Sequence, residues 1–176
     1  MKKYLLYGHG GAYNHGAEAI VRSTIALLRE KEPQVEILIS THFPEQDREF
    51  GLDRLAHLVP ADLSFVAEEK AQTTYETRCA VARKIYRDAL ALIDADTVCI
   101  AVGGDNYCYP NWHRQSVFHD TAKERGARSI LWGCSIQPES IDERMESVLR
   151  GHDHIYARES LTERALLEHG ITHITR

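Results

Sequence analysis

The chain has 176 residues, 43% apolar and 27% charged, with a formal net charge of −5. That length suits one domain with a real core, and the acidic balance argues against a nucleic-acid-binding domain, which carries a basic face. Cys79, Cys99, Cys108 and Cys134 are widely spaced with no CxxC pair, so neither a zinc ribbon nor a redox motif is indicated and a reducing cytoplasm is expected.

The first apolar run, residues 4–7, is broken by Gly8-His9-Gly10-Gly11. It is too short for a signal-peptide core or a membrane span and reads as a first β-strand. From Ala17, the positions Ile20, Val21, Thr24, Ile25 and Leu28 share one helical face, with Arg29 and Lys31 in the last turn and Pro33 as the stop. Strands follow at 35–40 and, more weakly, at 57–59. The stretch 61–74 is polar without a clear period and reads as a long loop. A helix beginning at Cys79 carries Ala82, Ile85, Tyr86, Ala89, Leu90 and Ile93 on one face. Next come a strand at 97–102, with Cys99 as a buried thiol, and a helix over 112–125 ended by Gly126. The last strands are expected at 129–132, at 154–157 and beginning near Thr172. Two capping boxes, Ser140 with Glu143 and Ser160 with Glu163, open two more helices, with Gly151 and Gly170 at their ends.

Short continuous apolar runs alternating with helices predict an α/β fold with a doubly wound parallel sheet. For the strand order 3-2-1-4-5-6, the order reverses between the first and fourth strands, and ligands bind there beyond the carboxyl ends. The loops meeting at that point are residues 8–16 and Gly103-Gly104-Asp105-Asn106-Tyr107. Both are rich in glycine, which lets backbone approach a ligand. The helix starting near Gly16 aims its amides at the crevice, as suits a phosphate or carboxylate. His9 and His15 flank that loop and are candidate acids or bases. A dinucleotide fingerprint would need glycine at position 13, which is Tyr, and an acidic residue ending the second strand, which ends Ser40-Thr41-His42. No Walker loop is present, and the histidines show no metal-ligand spacing. At the fifth and sixth strand ends lie Gly133-Cys134-Ser135-Ile136-Gln137-Pro138 and Ala157-Arg158-Glu159-Ser160. Arg158 is placed to grip a carboxylate or phosphate with two prongs. Trp112 and Tyr107 read as packing residues.

Four segments resemble the polysaccharide pyruvyl transferase family. Its Asn-x-Gly-Asp-Glu motif is similar to Asn14-His15-Gly16-Ala17-Glu18, and its glycine run to Gly103-Gly104-Asp105. Its Gly-x-Ser-Ile-Gly-Pro-like turn is similar to Gly133-Cys134-Ser135-Ile136-Gln137-Pro138, and its Arg-Asp/Glu-x-x-Ser motif to Arg158-Glu159-Ser160 with Leu166 and Gly170. Ala17 and Gln137 depart from the pattern. The resemblance implies a Rossmann-like lobe of a two-lobed, glycosyltransferase-B-like enzyme, with residues 1–176 as the N-terminal lobe and a C-terminal lobe expected beyond Arg176. It implies pyruvyl transfer from phosphoenolpyruvate, a donor substrate rather than a cofactor, to a saccharide or lipid-linked saccharide as a ketal, in cytoplasmic synthesis of cell-envelope polysaccharide. No metal is implied. Arg158 would then hold a donor anion, and Glu18, Asp105 and His15 would do acid or base work. Gly10, Asn14, Gly16, Gly103, Gly104 and Ser135 would bind substrate. Two rivals stay open: a nucleotide-sugar glycosyltransferase-like lobe, and a noncatalytic saccharide- or anion-binding domain, which Ala17 and Gln137 favour.

Overall fold

A computed structural model describes residues 2–176. Seven strands form one parallel sheet in the order β3-β2-β1-β4-β5-β6-β7. They are β1 (Lys3–His9), β2 (Glu36–Thr41), β3 (His57–Pro60), β4 (Thr97–Ala101), β5 (Arg128–Cys134), β6 (His154–Ala157) and β7 (Ile174–Thr175). The doubly wound order expected from the sequence holds, with β7 added at the edge.

The pleat sends alternate side chains to opposite faces, and both faces are buried, which explains the continuous apolar runs. Leu5, Tyr7, Cys99, Ala101 and Leu131 enter one core, whereas Tyr4, Leu6, Ile37, Ile39, Val98 and Ile100 enter the other. The second core is covered by α1 (His15–Lys31) through Val21 and Ile25, and by Leu52. The first is covered by α4 (Tyr75–Ile85), α5 (Arg87–Ala91), α6 (His113–Glu124), α7 (Glu143–Gly151) and α8 (Ser160–Glu168). With every helix after β3 on that side, Ile130, Trp132 and Tyr156 on the opposite face are only partly buried.

Local structure differs from the sequence reading at several points, each for a nameable reason. The single helix expected over 79–93 is broken at Tyr86, because the Asp62 amide takes the Ile85 carbonyl at 2.8 Å. The expected loop 61–74 instead holds a 3-10 turn, Leu63–Phe65, and α3 (Val66–Lys70). Asp62 Oδ1 accepts from the Ser64 amide at 3.1 Å to start that turn. A short helix, α2 (Pro44–Glu49), follows β2, with proline in its first turn. Neither capping box forms as expected. Asp142, not Ser140, caps α7 through the Met145 amide at 2.8 Å. The Glu159 carboxylate caps α8 through the Leu161 and Thr162 amides at 2.6 and 3.1 Å, leaving Ser160 inside the helix. Gly151 belongs to the last turn of α7, where a Cβ would lie 2.5 Å from His119 Nε2.

His119 and His152 are buried side by side, with ring centroids 4.4 Å apart. Ser129 Oγ sits 3.2 Å from His119 Nδ1 and 2.9 Å from His152 Nδ1, and Tyr107 Oη is 3.3 Å from His152 Nε2. Burial pushes His119 down to about 4 and His152 well below the ordinary histidine value. Burial also raises the Cys99 and Cys134 thiols to about 12, so both remain protonated.

Below an unfolded-state value near 6.5 the unfolded chain takes up protons that folded His119 refuses until about pH 4. Stability should therefore be level above pH 6.5 and fall between pH 6.5 and 4. His119 alone contributes a change on the order of 3 kcal/mol. Urea denaturation across this range checks it, and an acid-insensitive midpoint would refute it.

Candidate functional site

The backbone brings the ends of β1, β4, β5 and β6 together. The Val102 amide donates to the Tyr7 carbonyl at 2.9 Å, so β4 stays paired with β1 one residue past its own end. Asn106 Nδ2 then reaches across and donates to the Gly8 carbonyl at 3.0 Å. Only glycine leaves room for this stitch: a Cβ on Gly103 would lie 1.5 Å from Asn106 Nδ2, and one on Gly8, whose φ is +86°, would lie 2.5 Å from it. The Ser135 amide donates to the Gly104 carbonyl at 2.5 Å, and the Arg158 amide to the Cys134 carbonyl at 2.8 Å. The four loops are thus tied edge to edge along the carboxyl side of the sheet.

Between them lies a cleft of about 440 Å³. Of the residues expected from the sequence, Gly10, Asn14, Gly16, Gly103, Gly104, Asp105 and Arg158 line it. Asn14 Oδ1 caps α1 by accepting from the Ala17 amide at 3.1 Å, which leaves its amide group available. Asp105 accepts from Tyr109 Oη at 2.7 Å. The Arg158 guanidinium lies over Gly104, where an added Cβ would be 2.9 Å from Nη1. Among the described residues no carboxylate forms a hydrogen bond or ion pair with it, although the neighbouring Glu159 feels its charge.

His15, Glu18 and Ser135 are not cleft-lining. The reason for the first two is helix rotation. Gly16, Ala17 and Ile20 form the stripe of α1 that faces the cleft. His15, Glu18 and Arg22, spaced i, i+3 and i+7, face α2 instead. The His15 ring packs 5.5 Å from Phe50, Glu18 pairs with Arg22 Nε at 2.6 Å, and Arg22 Nη2 donates to the Phe50 carbonyl at 2.8 Å. Ser135 contributes its backbone to the loop stitch. His9 is also withdrawn: it is buried, with Nε2 2.8 Å from Asp47 Oδ1.

Sequence reading passed over a second group of lining residues: His42, Tyr86, Arg114 and Gln115. His42 directly follows β2, Tyr86 sits at the break between α4 and α5, and Arg114 and Gln115 lie in the first turn of α6. Position was the available signal, since His42 ends a strand and Arg114 opens a helix on the carboxyl side of the sheet. Arg114 Nε lies 2.8 and 3.0 Å from the two Glu69 oxygens, and its Nη2 bonds Glu69 as well. His113 Nε2 adds a contact at 2.8 Å. Burial works to raise the Glu69 carboxyl, yet the hydrogen bonds from Arg114 and His113 outweigh it and hold the group at about 2. Arg114 is consequently a neutralised cation, and Gln115 offers a buried Oε1 with no partner.

Among the described residues no cluster of three or more histidine, cysteine or acidic side chains could hold a metal ion, and no helix is long and apolar enough to cross a membrane. The family model for polysaccharide pyruvyl transferase matches residues 14–176. No curated protein and no solved structure matched the chain.

The loop stitch makes a specific prediction. Gly103→Ala should destabilise the fold by about 1–3 kcal/mol, as overpacking does. Asn106→Ala should lose less, and the double variant should recover much of the Gly103→Ala loss, because the clash is with the Asn106 amide. Denaturant midpoints of the three variants measure this coupling; strict additivity would contradict it.

Proposed function

Because the chain belongs to the polysaccharide pyruvyl transferase family, we propose that this cleft transfers pyruvyl from phosphoenolpyruvate to a pair of saccharide hydroxyls as a cyclic ketal. The observation that carries the reading is the free Arg158 guanidinium above a glycine-lined cleft at the sheet's point of reversal. The donor bears a carboxylate and a phosphate, and such a ligand calls for one unneutralised cation and many backbone amides. Arg158 supplies the first. Gly103, Gly104 and the first turn of α1 supply the second, with Gly10 and Gly16 keeping the approach open.

The chemistry balances with few groups. The donor's methylene carbon takes a proton and becomes methyl, while the neighbouring carbon accepts the first hydroxyl oxygen. The C–O bond to phosphate breaks, and the second hydroxyl oxygen closes the ring. Two hydroxyl protons are lost; one matches the proton gained by the methyl group and the other leaves with phosphate. Asp105, exposed and held by Tyr109, is the group in this cleft suited to take a hydroxyl proton. The Asn14 amide and Gln115 Oε1 suit the acceptor's hydroxyls. In this reading a facing lobe closes over the carboxyl edge of the sheet, and the acceptor is a saccharide or a lipid-linked saccharide met on the cytoplasmic side during envelope synthesis.

The test is phosphate release from phosphoenolpyruvate with candidate saccharides, using protein expressed from its full reading frame. Arg158→Ala should raise KM for phosphoenolpyruvate about 10- to 100-fold, the scale of a lost charge-assisted bond, with partial recovery in Arg158→Lys. Consumption of a nucleotide sugar with phosphoenolpyruvate untouched would establish the glycosyltransferase instead. Saccharide binding with no turnover of either donor would establish a binding domain.

A further inference from the structure

We propose that His42 is a substrate-binding hydrogen-bond donor, locked by Tyr86 into the neutral tautomer that carries its proton on Nδ1 and offers that proton to an oxyanion in the cleft. The inference depends on the pyruvyl-transfer reading only for the identity of that oxyanion.

The geometry starts at Glu69. Its carboxylate fixes Arg114, whose positive charge stands near both Tyr86 and His42. Tyr86 is buried, and burial raises its hydroxyl above the ordinary tyrosine value, so it keeps its proton. A guanidinium only donates, so Arg114 offers the tyrosine proton no acceptor. The hydroxyl's own proton then has, among the described residues, one acceptor within reach, His42 Nε2, at 2.7 Å. The reverse arrangement, with Nε2–H donating to Tyr86, would leave the buried tyrosine proton without a partner. With Nε2 accepting, a neutral imidazole must carry its proton on Nδ1. Among the described residues no protein group takes Nδ1, and the half-buried ring lines the cleft.

The surroundings hold the ring in that state. It stacks on Tyr86, with centroids 5.8 Å apart, and meets Phe43 edge-on at 6.3 Å. The charged and titratable groups around it are Arg114 and His113 from α6, Glu69 from α3, His9 from the end of β1 and Asp47 from α2. Asp47 is taken by His9, and Glu69 by Arg114 and His113. Burial, then the Arg114 charge and His9, oppose a second proton on the ring, and Glu69 only partly offsets them. An imidazole kept neutral this way donates without becoming an acid that protonates the wrong atom.

Long-range proton–nitrogen spectra of the protein, with His42 assigned by its loss in His42→Asn, read the tautomer directly. The expected spectrum shows a protonated Nδ1 and a bare Nε2 from pH 8 to about pH 5. Tyr86→Phe should mix the two tautomers, while burial and the Arg114 charge keep the ring neutral. An Nε2–H tautomer, or an imidazolium at neutral pH, would overturn the proposal. Titrating in inorganic phosphate and then phosphoenolpyruvate should shift the Nδ1–H signal. If neither moves it, the donor role is wrong. If phosphate or phosphoenolpyruvate moves it and no turnover follows with any saccharide, the pyruvyl-transfer reading fails while the donor stands. Affinity for the shifting ligand should fall about tenfold in His42→Ala and His42→Gln and be largely kept in His42→Asn, whose amide N–H can sit where Nδ1 does.

Discussion

Adjacent strands β1 and β4 feed helices on opposite faces of the sheet, and the cleft follows from that divergence. α1 turns back over the face bearing Leu6 and Ile100, whereas α6 turns back over the face bearing Tyr7 and Ala101. Two right-handed crossovers that start side by side and part must leave a gap above the strand ends. Everything placed in the gap is a consequence. The glycine loops occupy it because only backbone fits where β1 and β4 are still hydrogen-bonded, and Asn106 closes its floor by bridging the two loops.

The same topology sorts the charges. The cation that reaches the cleft from the α6 side arrives through a packed interior, so its charge comes neutralised: Arg114 pairs with Glu69. An unpaired ion there would carry a large desolvation cost. Arg158 comes from the end of β6 at the exposed rim, where solvent tolerates an unpaired guanidinium. A chain of net charge −5 therefore presents a local cation at one place in its cleft. The interior supplies neutral donors and acceptors, such as Gln115 and the tyrosine-held His42.

What could be read from the sequence and what could not divides along the same line. The strands were legible because burial on both faces leaves unbroken runs such as residues 97–101. The helix α1 was legible because its buried stripe repeats. The break at Tyr86 was not, since it depends on an amide at Asp62 that approaches only in the folded state. The caps show the limit of local rules: Ser140 and Asp142 are both good capping residues, and a 3-10 turn at Pro138–Ser140 decides for the second. Glu159 wins over Ser160 because one carboxylate can accept from two amides. In the cleft, most residues expected on loops line it, because a strand end points one way, although Ser135 gives only backbone. Residues on a helix were not: Gly16 and Glu18 are two apart in sequence and about 200° apart around the axis. His42 and Arg114 carried no motif at all, and they meet only because β2 and α6 both begin or end on the carboxyl side.

The cleft therefore has a stiff part and a mobile part. Its floor is backbone, pinned by the Asn106 side-chain bond, by the Ser135 and Arg158 amide bonds and by glycines such as Gly8 and Gly103 where a side chain would clash. Arg158, with no ion pair among the described residues, is a long exposed side chain above that floor. A stiff array of amides gives orientation without reorganisation cost, whereas a flexible guanidinium loses rotamer freedom when it closes on a ligand. The balance favours a ligand with two anionic ends, one seated on the amides and one drawing Arg158 down. A ligand with a single charge would meet the floor or the rim, but would not engage both.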